Sequence, residues 1–156
     1  MEVTFGKHKG VALEYVLLTA PTYVEWMLGE GDATGRLAAA RAEAQRLVRA
    51  FDRLPFVEKC QGPGCGKAAT RGTVHGANIQ LVCWCPGCNP YGMGADAGKL
   101  QVVRTYSDAL AHVGFHCAGR KGDYTRLVRN LAAAKGLKSR ASPDSVIAFF
   151  AGDGGG

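Results

Sequence analysis

The sequence predicts an α+β fold: a small helical module at the N-terminus, a central β-hairpin held between cysteine pairs, and helices at the C-terminal end. Three observations carry that prediction. Five of the six cysteines fall between residues 60 and 88, apolar residues recur at helical spacing on both sides of that segment, and β-forming residues lie between the cysteine pairs. Apolar residues make up 47% and charged residues 21% of the 156, the composition of a folded chain. The 22 glycines point to short elements and many turns, so each small core needs a further staple.

The elements follow in order. Residues 1–32 form a compact module. Val3-Thr4-Phe5 is a short strand candidate and Gly6-Lys7-His8-Lys9-Gly10 a glycine-bracketed turn. Leu13, Val16 and Leu17 then mark a short helix. Pro21 opens a second one, with Tyr23, Trp26 and Met27 on its predicted core face. Residues 33–55 form a connecting amphipathic helix on which Leu37, Ala40, Ala44, Leu47, Val48, Phe51 and Leu54 make the apolar stripe, and Pro55 ends it. Residues 56–92 hold the cysteine segment, with strands expected at Thr70–His75 and Asn78–Val82. Residues 93–152 form a basic helical region after a glycine-rich loop and a strand over Leu100–Val103. Its helices are expected to start at Ser107, to break at Gly114, to restart behind Asp123 until Gly136, and to start again at Ser142-Pro143-Asp144. Helix, glycine turn and helix suggest a helix-turn-helix, but about six residues separate the last two, more than that motif uses. Residues 153–156 are a frayed tail.

The N-terminal motif has a counterpart. Phe5-Gly6-Lys7-His8-Lys9-Gly10, a short helix, and Ala20-Pro21-Thr22-Tyr23-Val24-Glu25-Trp26 resemble the exodeoxyribonuclease X-like C-terminal domain, a pattern shared with putative quorum-sensing-regulated virulence factors. Ala20 stands where that pattern has an aspartate, which removes an acidic helix cap; Thr19 or Thr22 is the candidate substitute. The resemblance covers under a fifth of the chain. It implies an accessory module of nucleic-acid enzymes and not a nuclease, because the catalytic domain has no counterpart.

The cysteines read Cys60-x4-Cys65, seventeen residues, then Cys83-x-Cys85-x2-Cys88. Zinc takes four thiolates in a tetrahedron, typically two from each of two tight turns. Gly62-Pro63-Gly64 bends the first turn and Pro86-Gly87 the second. Cys60, Cys65, Cys85 and Cys88 are therefore the expected ligands of a structural Zn2+ in a zinc ribbon. Cys83 is the alternative, since strand alternation points it to the same side as Cys85; Cys-x2-Cys is the commoner spacing. Trp84, between them, is expected to cover the metal. Four thiolates close the coordination shell, and no His-x-Glu motif is present, which argues against zinc chemistry. His112, His116 and Cys117 make a second conceivable ligand set that lacks a fourth member.

The net charge is +6 and unevenly spread. Residues 1–32 carry two lysines against five acids, and the rest 17 basic residues against eight acids. That asymmetry suits a polyanion, with DNA favoured over RNA. The candidate phosphate contacts are Lys7 and Lys9 around His8; Arg46, Arg49 and Arg53 on one helix; and Arg120, Lys121, Arg126 and Arg129 on another, within a segment that adds Lys99, Arg104, Lys135, Lys138 and Arg140. The function expected is that of a zinc-stabilised, non-enzymatic nucleic-acid-binding accessory protein, its small modular make-up suiting a phage or mobile element. The alternative is an adaptor that docks a partner enzyme. No export signal opens the chain and no apolar run is long enough to span a membrane, so a cytoplasmic location is expected.

Overall fold

The computed structural model describes residues 1–88, 100–138 and 141–152. The fold is α+β, with helices α1 (Leu13–Thr19), α2 (Pro21–Gly29) and α3 (Gly35–Arg53), strands β1 (Arg71–His75), β2 (Val82–Trp84) and β3 (Leu100–Val103), then helices α4 (Tyr106–His116), α5 (Lys121–Ala134) and α6 (Pro143–Phe150). The chain divides into two compact units. One is Met1–Arg53 with Leu137–Gly156, the other Leu54–Gly136. The glycine-rich loop expected before β3 and the C-terminal tail lie outside the described residues, as do Lys99 and Arg140.

The first unit is helical. Leu13, Val16 and Leu17 of α1, Val24 and Met27 of α2, and Ala40, Ala44, Leu47 and Phe51 of α3 are buried, as their spacing predicts. α6 returns to this unit instead of extending the basic segment. Its Phe149 and Phe150 pack on Phe51 at ring-centroid distances of 6.2 and 6.0 Å. Ser142 caps α6 in a capping box with Ser145. Val3–Phe5 is not a sheet strand. Val3 hydrogen-bonds Val11 and Gly10 across a tight loop whose tip, Gly6–His8, is a 3-10 turn. Ala20 leaves α2 without a side-chain cap, and Thr19 does not substitute, because its hydroxyl donates back to the Tyr15 carbonyl at 2.8 Å.

The second unit packs a three-stranded antiparallel sheet, order β2-β1-β3, with α4 and α5. The hairpin forms later than expected. β2 pairs Val82, Cys83 and Trp84 with Thr73, Gly72 and Arg71 on one edge of β1, and β3 pairs with the other edge, from Gly72↔Val103 to His75↔Leu100. Residues 77–79 leave the sheet, their carbonyls claimed by side chains of α4, its C-cap and α5. Cys117 Sγ donates to Ala77 at 3.4 Å, His112 Nε2 to Asn78 at 2.8 Å and Asn130 Nδ2 to Ile79 at 3.0 Å. The Asn78 carboxamide closes the bend by accepting from the Gln80 N–H at 2.7 Å.

Two helix boundaries also differ. α4 is capped by Thr105 in a capping box with Asp108, not by Ser107, and runs straight through Gly114. A side chain at Gly114 would sit 3.3 Å from the Tyr124 hydroxyl of α5, so that glycine permits close helix packing and breaks nothing. α5 begins at Lys121, and Asp123 lies in its first turn as the ion-pair partner of Arg120 and Arg126 at 3.4 and 3.7 Å. Gly136 (φ +111°) ends the helix as expected.

Because Phe51 joins α3 to α6, Phe51→Ala is expected to cost about 3–5 kcal/mol of first-unit stability, read as a lowered urea midpoint, with the metal content of the second unit unchanged.

Candidate metal centre

Two loops build the centre. The first hangs from a short antiparallel pairing in which Lys59 bridges Ala68, the Ala69 N–H donates to Glu58 O and the Cys60 N–H to Lys67 O at 2.7 Å. Within it the Cys65 N–H donates to Gly62 O at 3.0 Å and the Gly62 N–H points at Cys60 Sγ at 3.4 Å. The second loop is the continuation of β2 through Cys85 to Cys88. Gln61 joins the two: its N–H donates to Cys83 O at 2.9 Å, and its side-chain oxygen accepts from the Cys83 N–H at 2.8 Å.

This arrangement brings the sulfurs of Cys60, Cys65, Cys85 and Cys88 within 4.8 Å of one another, with Cys65 Sγ and Cys85 Sγ 3.7 Å apart. Zinc–sulfur bonds of 2.3 Å in a tetrahedron set a sulfur–sulfur edge of about 3.8 Å, so the thiol set fits such an ion. It is a tetra-cysteine site able to hold a metal. Cys83 is not part of it. Its thiol lies 3% exposed in a small apolar cluster with Ala69, Ala134, Phe56 and Leu81. Burial, then Glu58 and Cys60, push that thiol up to about 11. The strand ends at Trp84, so the alternation that equated Cys83 with Cys85 stops between them.

Two thiols of the set are shifted in opposite directions. Cys85 is held down to about 6, chiefly by the Cys88 backbone N–H, with Cys65, Gly87 and Cys60 also donating against desolvation. Cys88 is pushed up to about 12, first by Cys65 and then by Cys60 and Cys85. The cluster thus favours a thiolate at Cys85 and disfavours one at Cys88, and a cation seated among the sulfurs would favour both. Trp84 does not serve as the expected cover: its indole N–H donates to Thr73 Oγ1 at 2.8 Å across the β1–β2 pair.

The other candidate residues are placed as follows. Lys121, Arg126 and Arg129 are exposed on α5, and Arg120 is exposed just before it, in the second unit. Lys7 lies in the 3-10 turn and Lys9 just after it, and Arg46, Arg49 and Arg53 lie exposed on α3, all in the first unit. Arg46 is engaged by Glu43, its Nε 3.1 Å from both carboxylate oxygens, and that bond holds the Glu43 carboxyl below the usual range. Lys135 is buried, its ammonium donating to Leu54 O at 2.9 Å and lying 5.3 Å from the Phe56 ring centroid, so it is not a phosphate contact.

His112, His116 and Cys117 do not form a second ligand set, His112 and Cys117 being spent on the 77–78 carbonyls. His112 donates through Nε2, its ring stacks on His116 at 5.3 Å, and burial holds its pKa below the usual value despite the Asn78 bond. In the first unit His8 turns onto Tyr23 (4.6 Å between centroids), which contacts Trp26 at 5.5 Å. Trp26, expected in the core, is 47% exposed.

Comparison with known proteins bears on that corner of the molecule. Residues 3–31 match the family described as Exodeoxyribonuclease X-like C-terminal. The match to that exodeoxyribonuclease module spans the 3-10 turn, α1 and α2, the elements that carry Lys7, His8, Lys9, Tyr23 and Trp26. No curated protein and no solved structure matches the chain. No described helix is long and apolar enough to cross a membrane.

The missed contributor is Gly62. A Cβ there would lie 2.8 Å from Cys88 Sγ and 3.4 Å from Cys60 Sγ. Its signal in the sequence was present, a glycine inside the Cys60–Cys65 loop, though it read only as a turn residue. Gly62→Ala is expected to weaken zinc binding roughly 10- to 100-fold, measured by competition with a chromogenic chelator. In the same assay Cys83→Ser is expected to retain one metal per chain and Cys85→Ser to lose it.

Proposed function

We propose that the chain is a zinc-stabilised accessory protein that binds nucleic acid, DNA in preference to RNA, through the basic surface of its second unit and performs no catalysis itself. One observation carries the reading: where the charge falls. Residues 54–136 hold ten lysines and arginines against four acids, whereas the rest of the chain holds nine of each. The whole +6 excess therefore belongs to the unit with the tetra-cysteine site. On α5, Lys121, Arg126 and Arg129 are exposed, with Arg120 just before the helix. The Asp123 ion pairs to Arg120 and Arg126 are solvent-facing on the arginine side, 75% and 69% exposed, and cost little to exchange for a phosphate.

Zinc is the metal of choice for four thiolates. With all four positions taken by sulfur, no site is left for water or substrate, so the ion holds the scaffold. On that reading it contributes on the order of 10 kcal/mol to folding of the two loops. The preference for DNA rests on the match of residues 3–31 to an exodeoxyribonuclease-derived module.

A second reading, an adaptor that docks a nucleic-acid enzyme, is favoured by the same match together with the exposed Trp26. Salt separates the two. For a binder making about four phosphate contacts, affinity for labelled DNA falls roughly 100-fold between 50 and 200 mM salt. Arg126→Ala with Arg129→Ala should weaken binding to every DNA tested and lower the salt slope by about two. Absence of binding to any nucleic acid at 50 mM salt would sink this function and leave the adaptor.

A further inference from the structure

Among the described residues of the second unit, the most exposed large apolar side chain is Phe115, 84% exposed near the end of α4. No ring contact engages it among the described residues. Apolar side chains stabilise a fold through the area they remove from water, so one left this open contributes almost nothing to it. It stands at the rim of a groove between β3 and α4, of about 150 Å3, lined by Gln101, Val102, Asp108, His112 and His116 besides Phe115 itself. Val102, on the opposite wall, is 37% exposed. Pockets for whole small molecules run roughly 300–1,000 Å3. This one has room for a single flat ring or one side chain.

From this groove we infer a subsite for one unpaired nucleobase of a single-stranded segment, stacked on Phe115. The inference rests on the nucleic-acid reading above and specifies what kind of strand that surface prefers. Charge selects a base over a partner's side chain. The groove belongs to the unit that carries the entire positive excess, and exposed Arg104 leaves β3 at its edge. Its one carboxylate is already engaged, Asp108 Oδ2 accepting from the Arg104 and Thr105 N–H groups at 3.0 and 3.2 Å. α4 packs against α5, so a backbone held by Arg126 and Arg129 and a base held at Phe115 are contacts made by neighbouring helices. A duplex keeps its bases stacked inside and offers Phe115 nothing, whereas a single strand has a free π-face at every base.

The test uses the full-length, zinc-loaded protein with fluorescein-labelled 20-nucleotide single-stranded and duplex DNA in parallel anisotropy titrations. Phe115→Ala is expected to weaken single-strand binding at least about tenfold and leave duplex binding unchanged. Phe115→Trp should restore the single-strand affinity. Because Phe115 is exposed, the variant folds, which its zinc content and circular dichroism verify. Equal loss for both strand types, or no loss for either while Arg126→Ala/Arg129→Ala still weakens both, overturns the base subsite and leaves nucleic-acid binding standing; the second result assigns the groove to a protein side chain. Failure of the wild-type protein to bind either DNA removes the function and the subsite together.

Discussion

Four thiols drawn within 4.8 Å of one another have no cohesion of their own. They are weak hydrogen-bond partners, and once one ionises its neighbours resist the next. The loops that present them, Cys60–Cys65 and the turn after β2, are made of glycine, proline and glutamine and bury little besides the sulfurs. A dication changes the balance by making four mutually opposed ionisations favourable together. The local backbone is built for that outcome. The Cys88 N–H favours the Cys85 thiolate, the Gly62 N–H points at Cys60 Sγ, and the absence of a side chain at Gly62 leaves space for Cys88. Gln61 then makes the two loops one object by gripping the Cys83 peptide at both its N–H and its C=O.

The same unit solves a second problem with side chains. A three-residue β2 and a four-residue β3 make a marginal sheet. Side chains of α4 and α5 stabilise it by taking the 77–79 carbonyls, which substitute helix-borne donors for strand pairing. This explains the register. Once those carbonyls are claimed from the helix side, β2 begins at Val82 on one edge of β1, while β3 pairs with the opposite edge from Gly72 to His75.

How much of this the sequence disclosed follows from the range of the interactions involved. The ligand set was legible because loop spacing and turn residues are local. Cys83 stayed an alternative because strand parity makes it equivalent to Cys85 until the strand's end is known, and only the commoner Cys-x2-Cys spacing favoured Cys85. The stripe of α3 and the Ser142 cap were legible for the same local reason. Gly114 misled because glycine's propensity argues for a break, whereas its contact with Tyr124 lies ten residues away on another helix. Trp26 misled by sharing a helical spacing with Tyr23 and Met27. Only Met27 is fully covered, since α2 turns a narrow face to the core. The return of α6 to the N-terminal unit, through Phe149 and Phe150 on Phe51, depends on a pairing nearly a hundred residues apart that no local pattern encodes.

Charge poses the last constraint. A dication held by four thiolates carries a net −2, and a phosphate-binding surface gains nothing from an anionic centre close by. α5 spaces Arg120, Lys121 and Arg126 from that centre along its length, whereas Arg129 lies beside Asn130, nearer the cysteine end. Its C-terminal end abuts the first cysteine loop, with Ala134 O accepting from Val57 and Glu58 and with Asn130, Ala133 and Ala134 lining a cleft shared with Cys60 and Gln61. Its N-terminal end carries Arg120, Lys121 and Arg126. At about 1.5 Å per residue these lie roughly 10–20 Å apart, beyond the Debye length of about 8–10 Å at physiological salt. The helix dipole adds to the arrangement at its N-terminus, where it reinforces attraction for phosphate. At the C-terminus it would oppose an anionic cluster, and there the buried Lys135 supplies a cation, its ammonium fixed on the Leu54 carbonyl. Lys135, the one buried lysine among the described residues, thus belongs to the scaffold, and the cations at the other end of the same helix stay exposed.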